Sequence, residues 1–160
     1  MASNEEPKFN MKRVKQLHGA LGALTSVRGV AYYMHRDQRV QDNWALIHAQ
    51  SLAMQHNVPL HVVCLITTVH PDEYGATLRH LKFCFEGLKE VAEELAELNI
   101  SFHLIVDQGA TIGGGKIAQW MKEHEVNCLV TDFSPLRQHR NILKQLKNCD
   151  ELPEDSMVYQ

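Results

Sequence analysis

The sequence predicts an α/β protein: a doubly wound parallel sheet of about five strands in the order 3-2-1-4-5, helices on both faces and the last strand cut short. Three observations predict it. Short apolar runs alternate with longer segments whose apolar residues recur at helical spacing, which is the pattern of successive strand–helix–strand crossovers. The Leu60–Ile66 run is nearly continuous in apolar residues, as in strands buried on both faces of a parallel sheet. With 160 residues, 44% of them hydrophobic, the chain can bury one core. The class is therefore Rossmann-like, with residues 29–160 as the α/β domain and 1–28 as an amino-terminal extension.

Within residues 9–28 a helix is expected around Met11–Leu17, loosened afterwards by Gly19, Gly22, Thr25 and Ser26. The first core strand covers roughly Gly29–Met34. A helix follows from Asp42, a natural N-cap, to about His56. The second strand is Leu60–Ile66, and a loop with Pro71 and Gly75 leads to a helix over Thr77–Leu98. That helix carries its apolar stripe on Leu78, Leu81, Phe85, Leu88, Ala92 and Leu95. It would be roughly 33 Å long against ~17–20 Å for a typical strand, so one end should overhang the sheet or bend near Gly87. The third strand is Ser101–Val106, the third helix Lys116–His124 and the fourth strand Val126–Thr131. Ser134 and Pro135 have the chemistry of a cap and first helical position for a helix running to about Lys147. Met157–Gln160 opens a fifth strand, whose exposed edge should make the isolated chain marginal or prone to association.

Charge and composition narrow the function. A formal charge of −3 argues against a self-sufficient DNA-binding surface. Lys12, Arg13 and Lys15 form a short basic cluster, read as a solvated helix face. No apolar run is long enough for a membrane span, and the start lacks the apolar core of a secretory signal, so the expected location is the nucleus or cytoplasm. Cys64, Cys84, Cys128 and Cys149 are widely spaced and read as reduced, structural thiols. The ten histidines show no metal-ligand spacing, and no metal is expected. Gly113-Gly114-Gly115-Lys116 resembles a phosphate loop but fails its pattern, since Ala110 and Ile117 stand where a glycine and a hydroxyl residue are required. It reads as a flexible connection in which glycine permits the helix entry angle, and a nucleotide-hydrolysing reading falls with it.

In a doubly wound sheet a ligand site lies at the carboxyl ends of the strands, where strand order reverses. Three segments arrive there: the His35–Arg39 turn, Thr67-Thr68 and Asp132-Phe133. The turn after the first core strand is no glycine loop; it carries Arg36, Asp37 and Arg39. These form either an internal salt-bridge network or ligand contacts, and both are compatible. Arg36, Asp37, Thr67 and Asp132 are the candidate binding residues. Asp132 is read chiefly as a turn former before Ser134-Pro135, and Trp44 as core or domain-interface packing. No nucleophile or base completes a catalytic set, so no catalytic residue is assigned.

The run from Arg36 to Leu46 (Arg-Asp-Gln-Arg-Val-Gln-Asp-Asn-Trp-Ala-Leu), joined to Thr131-Asp132-Phe133-Ser134-Pro135-Leu136-Arg137, closely resembles the amino-terminal domain of class II cyclobutane-pyrimidine-dimer photolyases, of the photolyase/cryptochrome superfamily. The resemblance extends from about Phe9 to the end of the chain and includes Val58–Val63 and Ala76–His80. It implies a light-driven DNA repair enzyme, a carbon–carbon lyase acting on UV-damaged DNA, in which reduced FAD donates an electron to the dimer. In that family the α/β domain is the accessory part. It packs on a helical FAD domain and in several members holds a deazaflavin or folate antenna. The FAD domain is absent from these residues, so the resemblance implies a scaffold or antenna domain, a fragment inactive alone. The sequence departs from the family at Tyr33, where tryptophan is common, at His35, where serine is usual, and in its glycine triplet. The alternative is a stand-alone, non-catalytic module that binds a small ligand or a partner protein.

Overall fold

The computed structural model describes residues 10–19, 26–67, 77–107 and 113–160. A 3-10 turn at Met11–Arg13 precedes strand β1 (Gln16–His18). The chain continues through β2 (Val30–Tyr33), α1 (Trp44–His56), β3 (Leu60–Thr67), α2 (Leu78–Glu97) and β4 (Ser101–Asp107). It closes with α3 (Gly114–Glu123), β5 (Cys128–Thr131), α4 (Arg137–Lys147) and β6 (Met157–Tyr159). The Thr68, Pro71, Gly75 and Ala76 positions of the sequence reading lie outside the described residues.

The strands form one sheet in the order β1-β6-β5-β2-β3-β4. Its five core strands are parallel and take the expected order: β2 pairs with both β3 and β5, β3 with β4, and β5 with β6. The sixth strand is a correction. β1 comes from the segment read as a helix-bearing extension, and it pairs antiparallel with β6 through Gln16↔Tyr159 and His18↔Val158. The carboxyl-terminal strand is therefore covered rather than left as an open edge. A strand whose outer amides and carbonyls would otherwise face water finds backbone partners in β1, and Lys15 and Gln160 extend the pairing by exchanging backbone bonds of 2.7 and 2.8 Å.

Alternation along the strands divides the core in two. Val30, Tyr32, Val62, Cys128 and Val130 face Leu46, Ala49, Leu52 and Ala53 of α1 and Val91 and Leu95 of α2. Ala31, Tyr33, Val63, Leu129 and Val158 face Ile117, Ala118 and Met121 of α3 and Ile142, Leu143 and Leu146 of α4. Helices thus cover both faces, and their hydrophobic side chains supply the main driving force for the layers. In α2 the buried residues are Leu88, Val91 and Leu95, all in the carboxyl-terminal half. The overhang predicted from helix length is real, and the helix is continuous through Gly87.

Three local expectations are corrected. Asp42 does not cap α1; it takes a left-handed conformation at φ 52°, and Asn43 caps instead by accepting from the Leu46 amide at 3.0 Å. Ser134 and Pro135 lie before α4, which begins at Arg137 with no side-chain cap; the Ser134 hydroxyl accepts from the Leu136 amide at 3.3 Å. Within the glycine triplet, Gly113 and Gly114 are constrained by packing, against Leu65 and against α4, while Gly115 is not. A Cβ on Gly114 would stand 2.5 Å from the Ile142 carbonyl oxygen and 2.6 Å from the Leu146 nitrogen, so α3 meets the backbone of α4 there. The thiols of Cys64 and Cys128 are buried and free, and burial pushes both up to about 12, consistent with inert packing.

Candidate functional site

Chain order runs outward from β2 through β3 to β4 and then returns to β5 on the other side of β2. The switch point therefore lies between the carboxyl ends of β2 and β5. Two segments meet there, the turn after β2 and the Asp132–Leu136 segment after β5.

Asp132 joins them. Its carboxylate accepts from the Tyr32 hydroxyl at 2.7 Å and from the backbone amides of Arg36 at 3.0 Å, Asp37 at 3.2 Å and His35 at 3.4 Å. Successive amides converging on a buried carboxylate make an anion nest filled from within the protein. The turn-forming role expected of Asp132 is thus present, but the turn it forms is the one after β2. Asn43, fully buried, works beside it: its side-chain amide donates to the Tyr32 hydroxyl at 2.9 Å and to the carbonyls of Asp37 and Arg39 at 3.0 Å each. One tyrosine hydroxyl therefore ties both segments to the start of α1, and burial among these groups, with Asp132 close by, raises its pKa well above the ordinary tyrosine value.

The salt-bridge network considered for the turn is not formed. Among the described residues no ion pair involves Arg36, Asp37 or Arg39; Arg36 donates to the Phe133 carbonyl at 3.3 Å and Arg39 to that of Asp42 at 3.3 Å. Behind the turn, the His35 ring lies 4.4 Å from that of His139, whose Nδ1 is 2.8 Å from the Ser134 hydroxyl. Burial lowers the pKa of both imidazoles.

A cleft of about 270 Å³ opens at this switch point. Arg36, Asp37 and Asp132 line it together, as the sequence predicts, with Trp44, His48 and Gln160 among the other walls. Thr67 does not line it; it ends β3, in register with Asp107. Arg13 and Val14 do line it, although they belong to the segment read as a solvated extension. The Arg13 guanidinium sits 5.5 Å over the ring of Trp44, which is 49% exposed, in a cation–π contact. The signal for Arg13 was present in the Lys12-Arg13-Lys15 cluster, but only the β1–β6 pairing brings it to the site. A larger concavity, about 630 Å³, runs along α3, where the charges are already partnered: Lys122 with Glu151 at 2.7 Å and Lys116 with Asp107 at 3.3 Å. The apparent phosphate-loop lysine is thus held by a buried carboxylate.

Fold and cleft together define a doubly wound α/β domain with a site of mixed charge and an aromatic wall at its switch point, lined by Arg13, Arg36, Asp37, Asp132 and Trp44. The solved structures it resembles include universal stress family proteins from Burkholderia pseudomallei (TM-score 0.51, 14% identity, 77% of this chain and 92% of that one) and from Archaeoglobus fulgidus (TM-score 0.52, 14% identity, 94% and 50%). That likeness is one of fold. The sequence relationship is narrower: DNA photolyase matches residues 30–152, and the chain belongs to that family. It is 38% identical over 148 residues to a deoxyribodipyrimidine photo-lyase of Potorous tridactylus and 39% identical over 115 residues to one of Arabidopsis thaliana. These alignments cover 92% and 72% of this chain but only 26% and 22% of the relatives, so the chain spans about a quarter of their length.

Proposed function

We propose that this chain is the scaffold and antenna domain of a deoxyribodipyrimidine photolyase, which repairs cyclobutane pyrimidine dimers in UV-damaged DNA with light and FAD. The observation that carries the reading is the switch-point cleft, lined by Arg13 and Arg36 together with the half-exposed indole of Trp44, over whose ring the Arg13 guanidinium sits. Such a set suits a flat ring bearing a carboxylate or carbonyl, because the exposed part of the indole offers apolar contact area beside Arg13 and the arginines offer charge-assisted donors. A deazaflavin or reduced folate has that chemistry, and when bound it would absorb light and pass the excitation to FAD. At about 270 Å³ the cleft lies just below the usual 300–1,000 Å³ range of small-molecule sites, so it fits one ring system and needs a neighbouring domain for its remaining wall.

In this reading Arg36 and Arg13 orient the anionic group, Asp37 accepts a ring N–H, and Asp132 fixes the turn rather than touching the pigment. The residues that hold FAD and receive the damaged base pair lie in a helical domain outside these 160 residues. The proposed location is the nucleus or cytoplasm, and among the described residues no helix is long and apolar enough to cross a membrane.

The test is a titration of a deazaflavin and a reduced folate against the folded chain and a folded Arg36→Ala/Asp37→Ala variant, followed by absorbance and fluorescence. Binding by the first and clear weakening in the second is expected. Equal binding by both rules these side chains out as pigment contacts, and binding by neither leaves them structural. The chain alone is expected to retain no flavin and to leave thymine dimers intact under blue light; stoichiometric flavin with light-dependent dimer loss would overturn the scaffold reading.

A further inference from the structure

The sheet has two edges, and only one of them is closed. At the β6 side the short strand β1 covers the carboxyl-terminal strand. At the other side β4 is the last strand, and among the described residues nothing pairs with its outer backbone. Short length, bulges, prolines and lysines are the usual devices by which an edge strand refuses a partner. β4 has none of them: it is seven residues long, its register with β3 runs unbroken from Ser101 to Asp107, and it contains no lysine, arginine or proline. Its one carboxylate, Asp107, is fully buried and already paired with Lys116 of its own chain at 3.3 Å.

Alternation assigns the two faces of β4. Phe102 packs with Leu88 on the side covered by α2, so Leu104 and Val106 share that side, and they remain 38% and 39% exposed. Their register partners on β3, Cys64 and Ile66, are buried in the cluster that Leu81 and Leu88 of α2 complete. The helical cover thus stops one strand short of the edge. The other face of β4 carries Ser101, His103 and Ile105. Ile105 packs against the core there, and the His103 ring lies 5.3, 5.0 and 4.8 Å from those of His61, Trp120 and His124.

We propose that β4 is a homodimerisation edge: a second copy of this chain pairs antiparallel with it, joining two sheets into one across a two-fold axis at Leu104. The strand is complementary to itself in that register. Ser101 falls opposite Asp107 of the second copy, Phe102 opposite Val106, His103 opposite Ile105 and Leu104 opposite Leu104. Every pair joins residues of the same face and the same backbone orientation, so outward amides meet outward carbonyls and about six to eight ladder bonds form. On the α2 side Phe102, Leu104 and Val106 of the two copies make one continuous apolar row, which buries what each leaves exposed alone. No like charges face each other, since Asp107 lies opposite a serine. A two-fold axis demands this self-match, and a strand of unrelated sequence does not supply it. β3 separates β4 from the switch-point cleft between β2 and β5, so dimer and pigment do not compete for one surface.

The experiment is sedimentation velocity on the full chain from about 5 to about 200 μM, with amide hydrogen exchange at both ends of that range. A monomer–dimer equilibrium is expected, with exchange in Ser101–Asp107 slowed about fivefold or more at the high concentration and exchange in β1, at the other edge, unchanged. Leu104→Lys places two ammonium groups opposite each other on the axis and should weaken dimerisation about tenfold or more. Met11→Lys, which removes an exposed apolar residue just before β1, should leave it unchanged. Leu104 is partly exposed, so its variant should keep the monomer fold, and the exchange measurement on wild type needs no variant at all. A chain that stays monomeric throughout the range overturns the proposal and leaves the edge to a strand of a different polypeptide. So does a dimer that Leu104→Lys retains, one that Met11→Lys disrupts, or one whose slowed exchange lies outside Ser101–Asp107.

Discussion

Replacing Asp132 by alanine should be among the most damaging single changes at the switch point, although the residue does no chemistry in this account. The side chain accepts four hydrogen bonds, the best of them from the Tyr32 hydroxyl at 2.7 Å and the amides of Arg36 at 3.0 Å and Asp37 at 3.2 Å. Bonds to a charged acceptor are worth about 1.5–3 kcal/mol each, and donors left buried and unpaired cost about 1–3 kcal/mol. The sum must be discounted, because the Tyr32 hydroxyl keeps its contacts with Asn43 and the Asp37 carbonyl. Water can also reach the partly buried amides of the turn. About 3–4 kcal/mol remains for Asp132→Ala. Asp132→Asn keeps the shape and one acceptor but turns an NH₂ toward donors, and should cost about half as much. Urea unfolding followed by fluorescence reads this directly: with a slope near 2 kcal/mol per molar, the alanine variant's midpoint should fall by roughly 1.5–2 M. A loss below about 1 kcal/mol for Asp132→Ala at unchanged slope would refute the nest as a structural device.

Gly114→Ala should destabilise by about 1–3 kcal/mol, read as a lowered melting temperature, because its Cβ meets the α4 backbone rather than a flexible side chain; an unchanged melting temperature would show that α3 and α4 part freely. A pH dependence follows from His35, whose Nε2–H donates to the Asp132 carbonyl at 3.0 Å while Nδ1 is buried without a partner. Burial holds its pKa below the ordinary 6.5, helped by His139 and Arg36 and opposed by Asp132. The unfolded chain therefore binds the proton more readily, so this contribution is intact above about pH 6.5 and is lost as pH falls below it, by at most about 1.4 kcal/mol per pH unit. His35→Gln should flatten the fall of stability between neutral and mildly acidic pH relative to wild type, and equal slopes for the two proteins would remove His35 as the titrating group.

Local sequence determined the parts that depend on period and on crossover geometry. Runs such as Val62–Ile66 have no polar residue to place in solvent, and parallel strands joined by helices must place those helices on the sheet faces, so a parallel sheet covered on both sides was legible in the sequence, and its β6-β5-β2-β3-β4 order is the one a Rossmann-like class implies. The switch-point location followed from that order, and with it Arg36, Asp37 and Asp132 as neighbours. Tertiary structure alone decided the rest, because it depends on partners distant in sequence. Gln16–His18 has no strand pattern of its own and becomes a strand because β6 offers unpaired backbone, and that pairing carries Arg13 onto Trp44. Asp42 and Asn43 are equally good caps in isolation; the choice fell to Asn43, whose amide also bonds the Tyr32 hydroxyl and two carbonyls of the turn. Gly114 looks like a hinge until α4 lies against it. His61, His103 and His124 are scattered along the chain, and only strand register and the end of a helix bring their rings together, a proximity that no spacing rule along one segment encodes.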